Sequence, residues 1–352
     1  MMDKVKVIEY IETSFLASLI NDEEITDISF NGSEFFYVSN SKGRNKSVIS
    51  VEYQLVKDFL RQIANLCEQQ FSFTNPILDV SVGKYRINAT HQSIGKMFDD
   101  DVVTFSIRIA SDKPRIDDNS DFFSPPVVEL LKELLRNRQS IIIGGLTSSG
   151  KTEFQKYLLR SMRDFERVVV IDNVTELDSV RNDRNIDLTC WRVDERNPYS
   201  SCALLIKNAL RNNPDWLILA EARDKEMLDV LNAAMTGSPV ITTIHSQDVY
   251  SLPSRMARMV LRNEQKLDYD EVLKDIYHHF HFYIYLKKEE NEGHIKRYIS
   301  DICCANDSGE MTLIYSKEKG CFKLPNSALS LFRNKDYLPL FKKYFIGGDD
   351  SE

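Results

Sequence analysis

Ile141-Ile142-Ile143-Gly144-Gly145-Leu146-Thr147-Ser148-Ser149-Gly150-Lys151-Thr152 sets the fold class of this 352-residue chain. Three successive isoleucines predict a strand buried on both faces, and apolar residues at helical spacing from Lys151 to about 163 predict a helix behind it. Between strand and helix lies the spacing G-x-x-x-x-G-K-T, in the context that a phosphate-binding loop requires. Gly145 and Gly150 let the backbone N–H groups around Thr147, Ser148 and Ser149 curl about phosphate oxygens, and the helix N-terminus favours their negative charge. Lys151 then reaches the β and γ oxygens, and Thr152 offers its hydroxyl to Mg²⁺. At the general glycine usage of about 7%, this pattern arises by chance in roughly 1% of chains this long, so an accidental Gly/Ser turn is the weaker explanation.

Outward from the loop, helices and short apolar strands alternate. A helix is predicted at about 127–138, strands at 140–144, 167–172, 216–220 and 239–245, and helices at about 151–163, 200–212 and 224–236. Such alternation with near-continuous apolar strands predicts a mostly parallel sheet covered on both faces. Ligands of such sheets bind beyond the carboxyl ends of the strands, so the residues just past each strand matter most. Val168-Val169-Val170-Ile171 runs into Asp172 and, one turn on, Glu176; Leu217-Ile218-Leu219-Ala220 runs into Glu221. A lone acid after a strand is more often a cap, but two downstream of a phosphate loop favour chemistry. Glu221 is the candidate that organises Mg²⁺ and the attacking water, with Asp172 and Glu176 in support. Ile241-Thr242-Thr243-Ile244 ends in His245, a candidate sensor of the γ-phosphate. His278, His279 and His281 adjoin an apolar strand with no thiolate ligands near them and read as surface and strand-end residues.

Residues 1–112 read as a smaller α+β domain: a helical start, strands at 25–30, 35–38, 85–89 and 102–109, a turn at Asn31-Gly32, and a helix near 51–70. Residues 113–126, rich in Asp, Ser and Pro, read as a linker, and 127–352 as the second domain, whose tail adds strands at 282–286, 295–303 and 311–315 and an amphipathic helix or two ending near Phe345. The chain is 42% hydrophobic, which argues against disorder. Its formal charge of −8 disfavours a general polyanion binder, and no direct sequence-specific nucleic-acid binding is expected. Six cysteines without a CxxC pair suit reduced thiols. A start with acids among its apolar residues, and no apolar run near ~20 residues, predict a cytoplasmic protein whose membrane association is at most peripheral.

Leu210-Arg211-Asn212-Asn213-Pro214-Asp215-Trp216-Leu217-Ile218-Leu219-Ala220-Glu221-Ala222-Arg223, followed by Ala233-Ala234-Met235-Thr236-Gly237 and Thr242-Thr243-Ile244-His245, resembles the Walker B and His-box segments of the type II/type IV secretion ATPase superfamily. The stretch 167–177 is similar to the family's Asp box, and Ile25–Gly32, Tyr85–Ala89 and Phe105–Arg108 resemble its N-terminal segments. The absence of a tetracysteine insertion, the compact length and the Asn31-Gly32 start resemble the type IV secretion and tight-adherence branch. Departures are Ser148 at a usual glycine, Ala220 before the Walker B acid, and Asp172-Asn173 for the usual Glu-Asp.

The resemblance implies a RecA-like P-loop NTPase domain preceded by the smaller domain, and a Mg²⁺-dependent ATPase acting as a homo-hexameric ring on inner-membrane secretion or pilus platform proteins. It also implies roles for Arg86 and Arg108 as arginines that approach the nucleotide phosphates, and for Arg223 at a subunit interface. Three other functions share these motifs: a pilus-retraction motor, a nucleotide-switched scaffold with little turnover, and a DNA-translocating motor, which the negative charge and the N-terminal matches disfavour.

Overall fold

The isoleucines of 141–143 divide their side chains between two cores, Ile141 and Ile143 entering one and Ile142 the other. Val168 and Val170 join the first, Val169 and Ile171 the second. Period-two alternation with both faces apolar makes one sheet the middle layer of three. The computed structural model describes residues 4–111, 115–118, 120–173, 176–183, 185–194, 197–224, 226–263, 266–333 and 335–347. The chain divides into two units, residues 1–113 with 290–296, and 114–289 with 297–352.

The first unit contains α1 (Lys4–Glu12), α2 (Ala17–Ile20), β1 (Ile25–Phe30), β2 (Phe35–Ser39), β3 (Gly43–Lys46), α3 (Tyr53–Leu66), β4 (Ile77–Val82), β5 (Tyr85–Thr90), the short ribbon β6 (Lys96–Met97) and β7 (Asp100–Asp101), and β8 (Thr104–Ile109). Six strands form an antiparallel sheet in the order β3-β2-β1-β8-β5-β4. Its strands alternate buried and exposed, as in Tyr85, Ile87 and Ala89 against Arg86 and Asn88. The buried face packs with Val56, Phe59, Leu60 and Ile63 of α3 and Val7 and Ile11 of α1.

In the second unit α4 (Pro125–Arg136), β9 (Ile141–Gly145), α5 (Lys151–Arg160), β10 (Arg167–Asp172), β11 (Asp187–Arg192), α6 (Cys202–Arg211), β12 (Trp216–Leu219), α7 (Glu226–Met235) and β13 (Val240–Ile244) follow in turn. Next come α8 (Leu252–Asn263), α9 (Tyr269–His279), β14 (Phe282–Asn291), β15 (His294–Ala305), β16 (Met311–Ser316), β17 (Gly320–Cys321), α10 (Asn326–Leu329) and α11 (Pro339–Phe341). The sheet order is β11-β10-β12-β13-β9-β14-β15-β16-β17. It is parallel from β11 through β14 and turns antiparallel at β15–β16 and β16–β17. Helices α4 and α5 cover one face and α6 to α9 the other. The expected mostly parallel α/β sheet, preceded by an α+β unit, is therefore present.

Several elements differ from the sequence reading. Of the segment read as a linker, residues 113, 114 and 119 lie outside the described residues, while Ile116, Phe122 and Phe123 enter the core of the second unit. Helix α8 falls in a stretch to which no element is assigned from the sequence; its Pro253 stands in the first turn, where the missing N–H has no intrahelical partner to lose. The C-terminal helical stretch expected to end near Phe345 is present as α11 continued without a break by a π-helical turn over Lys342–Gly347, and it buries Phe341 and Phe345 one turn apart. All six cysteines are free. Among the described residues no helix is long and apolar enough to cross a membrane.

Candidate functional site

Gly145 ends β9, and the chain turns back through residues 146–150 into α5. A Cβ on Gly145 would stand 2.4 Å from Ser149 Oγ and 2.8 Å from the Leu286 carbonyl oxygen, so no other residue fits there without displacing backbone. Gly150, at φ 97°, caps α5 in the left-handed region, and Ser148 is also left-handed at φ 62°. Thr147 and Ser148 are exposed at the mouth of the loop, whereas Ser149 is buried and its hydroxyl has no hydrogen-bond partner.

Lys151 folds into the hollow of the loop. Its ammonium donates to the carbonyls of Gly145 and Leu146 at 2.9 Å each and lies 3.4 Å from His245 Nδ1. Burial pulls the lysine pKa down to about 8, against the opposing attraction of Glu221. On its other side, His245 Nε2 lies 3.0 Å from Glu221 Oε1, and Arg223 reaches Glu221 Oε2 at 3.3 Å. A neutral imidazole carrying its proton on Nε2 satisfies both contacts, donating to Glu221 and accepting from Lys151. Lys151, His245, Glu221 and Arg223 thus form one chain of contacts across the ends of β9, β13 and β12.

The sheet fixes this chain in place. Adjacent parallel strands put Ile244 opposite Gly144 and Leu219 opposite Thr242, so His245 and Glu221 leave the sheet beside the loop. The Thr243 hydroxyl donates to the Ala220 carbonyl at 2.8 Å, the Ala222 N–H to the Thr243 carbonyl at 2.9 Å, and Gln155 of α5 to the Leu219 carbonyl at 3.2 Å. Gln155 carries no motif, and only the packing of α5 on the strand ends reveals it.

Asp172, at the end of β10, is buried and accepts the Glu176 N–H at 3.0 Å, so its carboxylate starts the 3-10 helix over Glu176–Asp183. Val174 and Thr175 of the same stretch lie outside the described residues. Arg86 and Arg108 belong to the first unit, on the exposed face of its sheet, directly opposite each other across β5 and β8. Asp79 lies 3.8 Å from Arg86, and Asp27 accepts from Arg108 at 3.3 Å. His278 and His281 both face Asp307, at 3.4 and 3.3 Å. A cleft of about 620 Å³ lined by Asp118, Lys132, Arg136, Tyr157, Arg160 and Arg163 lies at the far end of α5; its Lys132 meets Asp118 and its Arg136 meets Glu133, so it is no part of this site.

Among the described residues no group of three or more His, Cys, Asp or Glu side chains is placed to hold a metal ion. The loop region offers the Thr152 hydroxyl and the Glu221 carboxylate instead. That sparse set of hard oxygens suits Mg²⁺, which keeps most of its waters and is bound largely through substrate phosphates.

The profile of the family described as "Type II/IV secretion system protein" matches residues 108–274. An uncharacterised protein of Bacillus anthracis is 30% identical over 303 residues, 81% of this chain and 66% of that protein. The type IV secretion system protein VirB11 of Brucella suis is 29% identical over 155 residues, so the match spans 43% of this chain and only 43% of that relative's length. The crystal structure of the ATPase DotB of Legionella pneumophila shares the fold, with a TM-score of 0.63 over 86% of this chain and 81% of that one, at 18% identity. The matched segment runs from Arg108 through the loop, both acid-bearing strand ends and His245, and over residues 108–274 the chain is similar, with that order of parts, to the type II/IV secretion system protein family.

Proposed function

We propose that the chain is a Mg²⁺-dependent ATPase that assembles as a homo-oligomeric ring, a hexamer by family resemblance, and drives a type IV secretion, conjugation or pilus assembly machine. The observation that carries this reading is the contact chain from Lys151 through His245 to Glu221 at the mouth of a strand–loop–helix phosphate cradle. The similarity to VirB11, named for type IV secretion, supports the choice of machine.

The residues divide the work. Backbone N–H groups of 147–151 and the N-terminus of α5 receive the phosphates, and Lys151 exchanges its loop carbonyls for phosphate oxygens. Mg²⁺, held by Thr152 and Glu221, would supply charge neutralisation to the transferring phosphoryl group. Glu221 orients the attacking water and accepts its proton, and His245 couples that carboxylate to the lysine that touches phosphate. Asp172 and Glu176 shape the neighbouring rim, and Arg86 and Arg108 supply positive charge to the transition state. The motor works at the inner face of the membrane against platform proteins, bound there peripherally.

The test is ATP turnover with Mg²⁺ for the wild type and Lys151→Ala, together with particle mass with and without nucleotide. Turnover that Lys151→Ala abolishes, from a particle about six times the monomer mass, is expected. A chain that binds ATP, changes its assembly state and does not turn over is a nucleotide-switched scaffold instead.

A further inference from the structure

Ser148 is a non-glycine residue in the left-handed region, at φ 62°, in the middle of a loop whose function depends on its backbone. For an L-residue with a Cβ that conformation is disfavoured and persists only when its surroundings hold it. The holding contact comes from 149 positions along the chain: Arg297, on β15, donates its Nε–H to the Ser148 carbonyl at 2.8 Å. The stem of the same side chain lies against the other end of the loop, because a Cβ built on Gly150 would stand 3.6 Å from Arg297 Cδ and 3.4 Å from the Phe122 ring.

Arg297 is itself held firmly. Two residues on, the Ile299 N–H donates to the Phe122 carbonyl at 2.9 Å, and Phe122 stacks on Phe154 of α5 with ring centroids 5.8 Å apart. Strand β15, Phe122 and the helix that leaves the loop are therefore one packed unit, and Arg297 reaches across it to the loop's apex. Burial, and then the neighbouring Arg115 guanidinium, lower the Arg297 pKa from its ordinary value, the signature of a cation drawn out of water beside the loop.

We propose that Arg297 is a positioning residue of the phosphate loop, clamping Ser148 in the left-handed conformation from which the loop's N–H groups converge on a phosphate. This rests on the reading of the site as a phosphate loop. It assigns to a C-terminal strand the job that a glycine at position 148 would do without help, since glycine takes that conformation freely.

The experiment is a cycle of Arg297→Met and Ser148→Gly in the full chain, read as the Kd for MgADP with a fluorescent ADP analogue, with Lys151→Ala as control. Methionine keeps an unbranched stem beside Gly150 and removes the donor. Arg297→Met is expected to weaken binding about tenfold, and adding Ser148→Gly to recover most of that loss. Recovery is the decisive reading: a guanidinium that acted on phosphate directly, or merely packed, would not be replaced by a glycine 149 positions away. Arg297→Met with unchanged Kd, or a loss that Ser148→Gly leaves in place, overturns the inference. If Arg297→Met does not fold, Arg297→Lys, which keeps the charge and lacks the Nε donor, is read by the same two outcomes. A wild type that binds no nucleotide, or Lys151→Ala that binds as tightly as the wild type, overturns the phosphate-loop reading and this inference with it.

Discussion

His245 Nε2 lies 3.0 Å from Glu221 Oε1, although the two residues leave different strands, and the same imidazole faces Lys151 through its other nitrogen. The contact ties the carboxylate that would orient water to the lysine that would touch phosphate. Glu221→Gln keeps the shape and a hydrogen-bonding oxygen but cannot take a proton, so kcat should fall by about 10²-fold or more while nucleotide binding persists. His245→Ala should lower kcat by less, with a correspondingly small change in KM. Steady-state turnover beside equilibrium nucleotide titration checks both, and equal losses of binding and turnover in Glu221→Gln would refute the assigned role.

Lys151 has its pKa pulled down to about 8 by burial in its own loop. At pH 8 about half of the nucleotide-free molecules carry it uncharged, and a bound phosphate favours the charged form. Binding of ADP near pH 8 should therefore take up about half a proton per site, and affinity should fall as pH rises above 8, by up to about tenfold per unit. Calorimetry in buffers of different ionisation enthalpy measures the uptake, which Lys151→Ala should abolish.

Arg86 and Arg108 face each other across β5 and β8, and like charges directly opposite on a sheet work against pairing. The acids beside them are half-exposed or exposed and offset little of this. Replacing either by alanine should thus change folding stability by no more than about 0.5 kcal/mol. If the pair serves the transition state, each replacement should nonetheless cut turnover by about 10²-fold or more. Thermal melting beside kcat separates these, and a variant that melts normally and turns over normally removes that arginine from the mechanism.

Gly145→Ala brings a methyl carbon to 2.4 Å from Ser149 Oγ and 2.8 Å from the Leu286 carbonyl. Overpacking of this kind typically costs about 1–3 kcal/mol, and here the strain falls on the cradle itself. A lowered melting temperature together with weakened ADP binding is expected; a variant with normal affinity would show that the loop can yield.

How much of the molecule was legible in the sequence depended on how locally each feature is encoded. The loop 145–150 proposed to hold phosphate, the acids after β10 and β12, and His245 after β13 lie next to the apolar runs that place them, and a parallel sheet turns those strand ends toward one edge. Arg297 carries no motif and reaches Ser148 only because β15 is packed on Phe122. The confrontation of Arg86 with Arg108 depends on strand register, which alternation alone leaves open. Strand β4 escaped notice because its first residue, Ile77, is exposed and comes directly after Pro76; β11 did so because only Leu188 of its six residues is buried. The helical end near Phe345 is legible because Phe341 and Phe345 stand one turn apart, and its π-helical last turn is not, because that spacing suits either helix type.

The β14–β15 hairpin turns at Glu292-Gly293, both left-handed, and residues 290–296 belong to the first unit. There the Ile295 N–H donates to the Ser41 carbonyl at 2.7 Å, and the Ile295 side chain lies over Gly43. A gene fragment that stops at residue 113 therefore encodes the first unit without one of its pieces. In evolutionary terms this unit is not a cassette that recombination can exchange at a single crossover: a chimaera that takes its first 113 residues from a relative keeps this chain's hairpin tip, and the two must suit each other from the outset.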